Sequence, residues 1–520
     1  MFPILFVQAR RTARLAIALA CAGAPAFGHA AAPAVPQARG AAMPAQYGAE
    51  QPERQMLTNA TRGYLEARDY KGLEALYAQV KGAGQRTPSG LWKQAPFYNV
   101  LRQYGQWSED AAYWAALQGQ AKAWQRQYPH SVPARLFEVY LLLRRTEASR
   151  GTAFYAALTE KQRRDLSQGS AAAMRLLDDM QAMADKAGEP EWHRAMLSVF
   201  PYSNGFSEAR YRAKIGAALA RHPDYHEAYF TAALYSLAHW NGAPDAVDLI
   251  ARALDNAAGT EQGAMYARMY WYMDQSSYQG KLFEFSPADW PTMRASFDVL
   301  VAQYPDPWNL NAYAYFACRA GDTASMARLL ARIGDQVEPL AWGDDGAATQ
   351  ARCAANTVAD PQFESKQAAV RNERLRRLRS AMLSYAATQH SHKQYQDEVD
   401  TLHRAEDMER GLGWVSMPLQ YNLAAAFVEM KRYEEAVSAL GAGLRSQPAF
   451  PDAYWMRGRA LEALGRKDEA RADFEKGAGY LRAALPAAWA KLNATQRANV
   501  ALMQGKFREY GFDTPIMPPD

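Results

Sequence analysis

The sequence predicts an all-α protein: stacked helical hairpins of the α-solenoid type, preceded by a larger helical N-terminal domain. Three observations predict it. Good helix formers dominate, and Ile, which favours strands, occurs six times in 520 residues. Beyond residue 53, apolar residues recur every three or four positions through most of the chain. Two segments near the C-terminus repeat with a period of 34 residues. The length points the same way, since single cores stop growing at roughly 250–300 residues.

The N-terminus reads as a secretory signal. Arg10, Arg11 and Arg14 precede the apolar run Leu15 to Ala22, and small residues follow at Gly28 and Ala30. That order predicts cleavage near Ala30 and a periplasmic or secreted protein. The apolar run is shorter than the ~20 residues of a membrane span, and no later segment is apolar enough to cross a bilayer. Two rivals exist. Arg10-Arg11 belongs in twin-arginine export, although its flanks fit that poorly. Cys21 is the place for a lipoprotein cysteine, but Ala18-Leu19-Ala20 lacks the usual Leu three residues upstream. Residues 31–52, rich in Ala, Pro, Gln and Gly, read as a mobile leader. Of the net charge of +5, three arginines lie in the signal and no acid precedes Glu50, which leaves +2. A near-neutral chain gives no support for a nucleic-acid partner.

Helical hairpins follow in order. Residues 64–77 carry the helical pattern with a break at Arg68-Asp69. Ser108 is placed to cap a helix running to Tyr128 and stopping at Pro129. Ser131 opens the next, with Leu136, Val139, Tyr140 and Leu143 on one face. Asp224 and Glu227 have capping-box spacing and open a helix through Leu237. The turn Asn241-Gly242-Ala243-Pro244 leads to a helix from Ala246 to Leu254. Residues 307–320 pair with 323–333, and a highly charged helix spans about 362–388. Cys318 and Cys353 remain after Cys21. Two buried thiols would be ordinary, and export favours a disulfide between them.

The 34-residue repeat is the clearest signal. Its first copy carries Leu423-Ala424, Phe427, Tyr433, Ala436, Leu440, Gly443 and Pro448. The second carries Arg457-Gly458, Leu461, Gly465, Ala470, Phe474 and Gly477. Small residues suit the close crossing of two helices, and large ones fill the gap to the next pair. Residues 417–482 therefore resemble the tetratricopeptide repeat family, with a capping helix or two from Ala483 to about Lys506. Upstream, over about 60–355, short segments resemble a bacterial domain of unknown function that precedes such repeats in exported proteins. They are Trp124-x-x-x-Tyr128-Pro129-x-Ser131, Arg150-Gly151, His222-Pro223-x-Tyr225, Trp240-Asn241-Gly242, Tyr266-Ala267-Arg268 and Cys318-x-x-Gly321-Asp322. Asn241 stands where members of that domain have Gly. The resemblance implies a helical domain and transfers no catalytic residue. The expected organisation is signal 1–30, leader 31–52, helical domain 53–355, connecting long helices 356–411, repeats with cap 412–506 and tail 507–520.

No motif of catalysis stands out. His390, His392, His403 and Asp397 invite a metal reading, but residues two apart on a helix point in different directions. Gly343-Asp344-Asp345-Gly346 lacks the alternating oxygen ligands of a calcium loop. The arginines 371, 374, 376, 377 and 379 surround their helix and read as a solvated, salt-bridged surface. Glu364-Ser365 is the only pair of the lytic-transglycosylase type, and it sits in a charged helix. No cofactor or metal is expected. Clusters such as Tyr266, Tyr270, Trp271 and Tyr272 read as packing or as peptide anchors.

The leading reading is a periplasmic scaffold that binds a protein or peptide partner in a helical groove. The alternative is an enzyme whose site lies in 53–355 and uses residues without a linear motif; converging carboxylates or histidines in a cleft would mark it. Resemblance to the repeat family implies that the first helix of each pair lines the groove. The residues facing the ligand are then Tyr421, Ala425 and Glu429 in one repeat, and Trp455, Arg459 and Glu462 in the next. Tyr and Trp offer broad contact area, and Arg can fork onto a carboxylate. The set lacks the Lys/Asn clamp that relatives use on a C-terminal carboxylate.

Overall fold

The computed structural model describes residues 49–513, apart from 107, 109, 151–156, 204, 238–241, 258, 260, 344, 356, 357 and 359. The expected signal with Cys21, most of the expected leader, Gly151, Trp240-Asn241, Asp344 and the end of the expected tail lie outside the described residues. The described residues form helices and no strand, with one isolated antiparallel bridge between Arg86 and Trp92. They fall into two compact units, one within Pro25–Ala369 and one within Val370–Asp520.

The first unit holds α1 (Glu50–Glu66), α2 (Tyr70–Val80), α3 (Gln94–Gln103), α4 (Ala111–Gln127), α5 (Val132–Arg150), α6 (Glu160–Ala187), α7 (Pro190–Val199) and α8 (Glu208–Arg221). It continues with α9 (His226–Tyr235), α10 (Ala246–Asn256), α11 (Met265–Met273), α12 (Leu282–Phe285), α13 (Trp290–Gln303), α14 (Pro307–Ala320), α15 (Thr323–Ile333) and α16 (Gly346–Ala354). The long helix α17 (Phe363–Ser391) leads into the second unit. That unit holds α18 (Tyr395–Gly411), α19 (Met417–Glu429), α20 (Tyr433–Ser446), α21 (Pro451–Ala463), α22 (Lys467–Ala488) and α23 (Ala494–Glu509).

One stop signal ends many of these helices. Arg68, Gly188, Gly321, Lys393, Lys431 and Gly465 have positive φ. In each case the next residue's N–H bonds back five residues: Asp69 to Tyr64, Glu189 to Ala184, Asp322 to Ala317, Gln394 to Gln389, Arg432 to Phe427 and Arg466 to Leu461, at 2.8–3.0 Å. This Schellman bond satisfies a carbonyl that the helix end leaves open and turns the chain back on itself. Asp69 and Asp322 then cap the next helix, accepting from the N–H of Gly72 and Ser325 at 2.9 Å.

Three sequence expectations are corrected by tertiary contacts. Asp224 and Glu227 form no capping box: α9 starts at His226 without a side-chain cap and ends at Tyr235. Asp224 is held instead by Arg86 at 2.5 Å, and Glu227 by Arg102 at 2.9 Å. Asp110, not Ser108, caps α4, accepting from Ala112 N–H at 2.8 Å. The helix α1 begins at Glu50, inside the expected leader, because the buried Glu50 carboxylate accepts from Ser89 N–H at 2.8 Å. Ser131 does open α5, accepting from Ala134 N–H at 3.1 Å.

Aromatic residues fill two cores in the first unit. Tyr77, Phe97, Tyr98, Trp124 and Phe137 centre one, over α2 to α5. Tyr229, Tyr266, Trp290, Phe297, Tyr313 and Trp342 centre the other. Phe297 stacks on Tyr313 with centroids 4.9 Å apart, and each such buried ring contributes roughly 1.5–3 kcal/mol. Tyr266, Tyr270 and Trp271 are buried, and Tyr272 stacks on Phe230 at 4.3 Å, so this cluster is packing. Cys318 and Cys353 are joined by a disulfide, with Cα atoms 5.7 Å apart, which ties α14 to α16.

Candidate functional site

The C-terminal hairpins are built on small residues where helices cross. A Cβ on Gly458 would lie 2.4 Å from the Phe474 ring, and one on Gly443 would lie 2.9 Å from the Met417 sulfur. Ala424, Ala436, Leu440, Ala470 and Phe474 are fully or almost fully buried. Thus α19 lies against α20 and α21 against α22, with backbones close enough that larger side chains would push them apart. A third hairpin of the same build precedes them, from the second half of α17 and α18. Its turn residue Lys393 corresponds to Lys431, and Met382, Ala386, Leu402 and Ala405 form its interior. The sequence hides this hairpin because two of its interior positions are polar. Gln389 and Glu398 stand where the next hairpin has Phe427 and Ala436, and His390 Nδ1 meets the buried Glu398 carboxylate at 2.8 Å.

The expected groove residues divide. Tyr421 is buried, with its ring 5.8 Å from Phe450, so it packs at the junction of α19 and α21 and offers no open contact surface. Its orientation is set by the neighbouring hairpin, which the spacing within α19 cannot report. Ala425 is half-buried, and Glu429 is exposed and accepts from Tyr395 at 3.3 Å. Trp455 is half-buried, with part of its surface on the apolar cluster of α22 and α23. The Arg459 guanidinium is exposed and lies over the Trp455 ring at 5.0 Å. Arg459 has no acidic partner among the described residues. Glu462 is taken by the capping helix, accepting from Tyr510 at 2.5 Å and pairing with Lys506 at 2.8 Å. Sequence reasoning missed Asp452, one turn before Trp455. It is buried, its Oδ1 finds no hydrogen-bond donor, and burial pushes its carboxyl up to about 7.

A family profile agrees with this build over one hairpin. The tetratricopeptide repeat family profile matches residues 451–480, which cover α21 and the first part of α22. The hairpin of α21 and α22 is a tetratricopeptide repeat. A curated relative, peptidyl-prolyl cis-trans isomerase FKBP42 of Arabidopsis thaliana, is 38% identical over 66 residues. The match covers 13% of this chain and 18% of that protein, so the chain spans under a fifth of the relative's length. The crystal structure of yeast Tom70 aligns over 89% of this chain and 96% of its own, at 10% identity and a TM-score of 0.21.

Away from the repeats, the first unit carries two buried polar networks that sequence reasoning did not find. In one, Glu189 accepts from Tyr77, from Tyr98 at 2.9 Å, from Gln94 at 3.0 Å and from Glu191 N–H at 3.1 Å. Glu191 accepts from Arg102 at 2.8 Å, from Tyr140 at 2.5 Å and from Tyr225. Burial raises the Glu189 carboxyl and the four tyrosine hydroxyls above their ordinary values. In the other, Glu261 is held by Arg268 at 2.6 Å and His226 at 2.8 Å, and Arg268 also donates to the Ser89 carbonyl at 2.6 Å. Despite burial, Arg268 and the hydrogen bond with His226 hold the Glu261 carboxyl down to about 2, whereas burial lowers His226. Every carboxylate oxygen in the first network accepts at least one hydrogen bond. These groups brace α2, α3, α5, α7 and α9. The motif residues Tyr225, Arg268, Cys318, Gly321 and Asp322 serve these braces, turns and caps.

The remaining sequence candidates are separate. His390 pairs with Glu398, and His403 lies 3.3 Å from Glu406. No group of three or more His, Cys, Asp or Glu side chains converges among the described residues. In the arginine run, Arg377 pairs with Glu373 at 3.0 Å, whereas Arg379 turns inward to Glu409 at 2.6 Å. Among the described residues no helix is long and apolar enough to cross a membrane.

Proposed function

We propose that this protein is an exported helical-repeat scaffold of the periplasm or cell exterior. Its tetratricopeptide repeats dock an extended peptide segment of a partner protein along α19 and α21. The observation that carries this reading is Arg459, stacked on a half-buried Trp455 without an acidic partner among the described residues. A Trp with a guanidinium on its face is a ready anchor for an apolar residue beside a carboxylate. Export is supported by the basic, apolar and small residues of positions 10–30. The saturated carboxylates of the first unit favour a bracing role over catalysis.

The test is a pull-down from periplasmic extract with the mature chain and with Trp455→Ala, followed by affinity measurement on the partner identified. Trp455→Ala is expected to weaken binding by about 2 kcal/mol or more, roughly thirtyfold, while helix content stays unchanged. Unchanged affinity would remove the groove from consideration. N-terminal sequencing of the exported protein is expected to begin near Ala31, and a mature chain retaining Met1 would rule out cleavage.

A further inference from the structure

Three neighbouring helices of the first unit are closed to solvent almost throughout, and each opens at one polar residue. They are α7, α9 and α11, with α9 packed on both of the others. Arg194 is the one residue of α7 that is not buried, and Tyr272 the one residue of α11. From His226 to Ala233, α9 is buried except at Glu227. The three openings belong to one place, since Glu227, Arg194 and Arg102 are the charges that bear on the Tyr272 hydroxyl.

Each of the three keeps unused hydrogen-bonding capacity. Arg194 is fixed through Nε, which donates to Thr231 Oγ1 at 3.1 Å and lies 4.0 Å from the Glu191 carboxylate. Its two terminal nitrogens have no acceptor among the described residues. Glu227 accepts from Arg102 at 2.9 Å through Oε2, and its Oε1 has no donor among the described residues. The Tyr272 ring stacks on Phe230, while its hydroxyl has no partner among the described residues. None of these free atoms is sealed from solvent, and the Arg194 and Glu227 side chains are 20% and 26% exposed.

The charge balance points to the ligand. Arg102 and Arg194 face Glu191 and Glu227, two cations against two anions. A ligand of net charge would unbalance this half-buried set, whereas a zwitterion meets both spare groups and leaves it balanced. Thr231, which anchors Arg194, follows Glu227 by one helical turn, so the free guanidinium and carboxylate atoms stand roughly 5–8 Å apart. An α-amino acid fits that gap, with its two charged ends about 3 Å apart and a hydrogen bond of about 2.8 Å at each. A dipeptide is longer by about 3.3 Å. We propose that this opening binds a free α-amino acid. Its carboxylate takes the Arg194 terminal nitrogens and the Tyr272 hydroxyl, and its ammonium takes Glu227 Oε1. The site is separate from the peptide groove of the repeats, and neither idea depends on the other.

Calorimetric titration of the full chain at pH 7.5 with each proteinogenic amino acid in turn tests it. At least one is expected to bind. The C-terminal amide of the best binder, its deamino acid and its homodipeptide are each expected to bind at least tenfold more weakly. Arg194→Gln is expected to equalise the amino acid and its amide, and Glu227→Gln to equalise the amino acid and its deamino acid. Tyr272→Phe is expected to weaken binding about threefold. Circular dichroism and unfolding curves establish that the variants fold, and because each charge variant is read as a ratio of two ligands, general loosening of the helices does not imitate the result. Binding by no amino acid, an amide or dipeptide that binds as well as the free amino acid, or a preference over the amide that survives Arg194→Gln overturns the proposal.

Discussion

Replacing Asp452 by Asn is expected to stabilise the junction of α19 and α21 at alkaline pH and to flatten its pH dependence. The carboxyl is raised from 3.8 to about 7 by burial, opposed only by a bond to its own backbone N–H. The sign follows directly. Above pH 3.8 the open chain gives up the proton, whereas the folded chain keeps it until about pH 7, so stability falls through that window and stays low above it. At about 1.4 kcal/mol per pH unit the full penalty is roughly 4 kcal/mol, of which about 3 kcal/mol develops between pH 5 and pH 8. Local opening is the right observable, since a chain of two units does not unfold in one step. Hydrogen exchange of the full chain, read on α19 and α21 and corrected for intrinsic rates, should show easier opening of the native protein at pH 8 than at pH 5. Asp452→Asn should show little difference. A native protein whose opening energy is flat with pH, or a variant with the same slope as the native protein, would refute the reasoning.

Other perturbations follow from the same contacts. Lys431 holds a left-handed turn with φ of 60°, so Lys431→Gly should stabilise the repeats by about 0.5–1 kcal/mol in urea unfolding; a loss of stability would count against the turn. Replacing both Cys318 and Cys353 with Ser opens a loop of sequence separation 35 and should cost about 4 kcal/mol in the chain-entropy model, read as a lower unfolding midpoint of the first unit. Arg102→Ala removes the nearer of two cations on the buried Glu191, leaving Arg194 at 4.0 Å, and should cost about 3 kcal/mol; a loss below 1 kcal/mol would show that Arg194, Tyr140 and Tyr225 suffice.

Much of the fold is legible in the sequence because helical period and turn chemistry are local. The pair 307–320 and 323–333 coincides with α14 and α15, since Asp306, Gly321 and Asp322 mark both boundaries. The repeats at Ala424 and Gly458 show themselves because close helix crossings admit only small residues. The hairpin of α17 and α18 does not, since Gln389 and Glu398 break the apolar pattern and tertiary partners make that tolerable. Side-chain direction is the harder quantity. Asp224 and Glu227 have the right spacing for a cap, yet arginines from distant segments claim both. Asp452 reads in sequence as an ordinary acid in a helix's first turn; it is buried in the fold, close enough to Tyr421 of α19 to raise that hydroxyl. Tyr421 fails as a groove residue for the same reason.

The central claim is that the face of α19 and α21 receives a partner, and cross-linking in the cell tests it most directly. A photoreactive phenylalanine analogue is placed at Ala425 or Arg459, and at Ser438 on α20 as a control. The expected result is a discrete cross-linked partner from positions 425 and 459, none from 438, and loss of the 425 product when Trp455→Ala is added. Cross-links from 438 alone, or a 425 product indifferent to Trp455→Ala, would contradict the account.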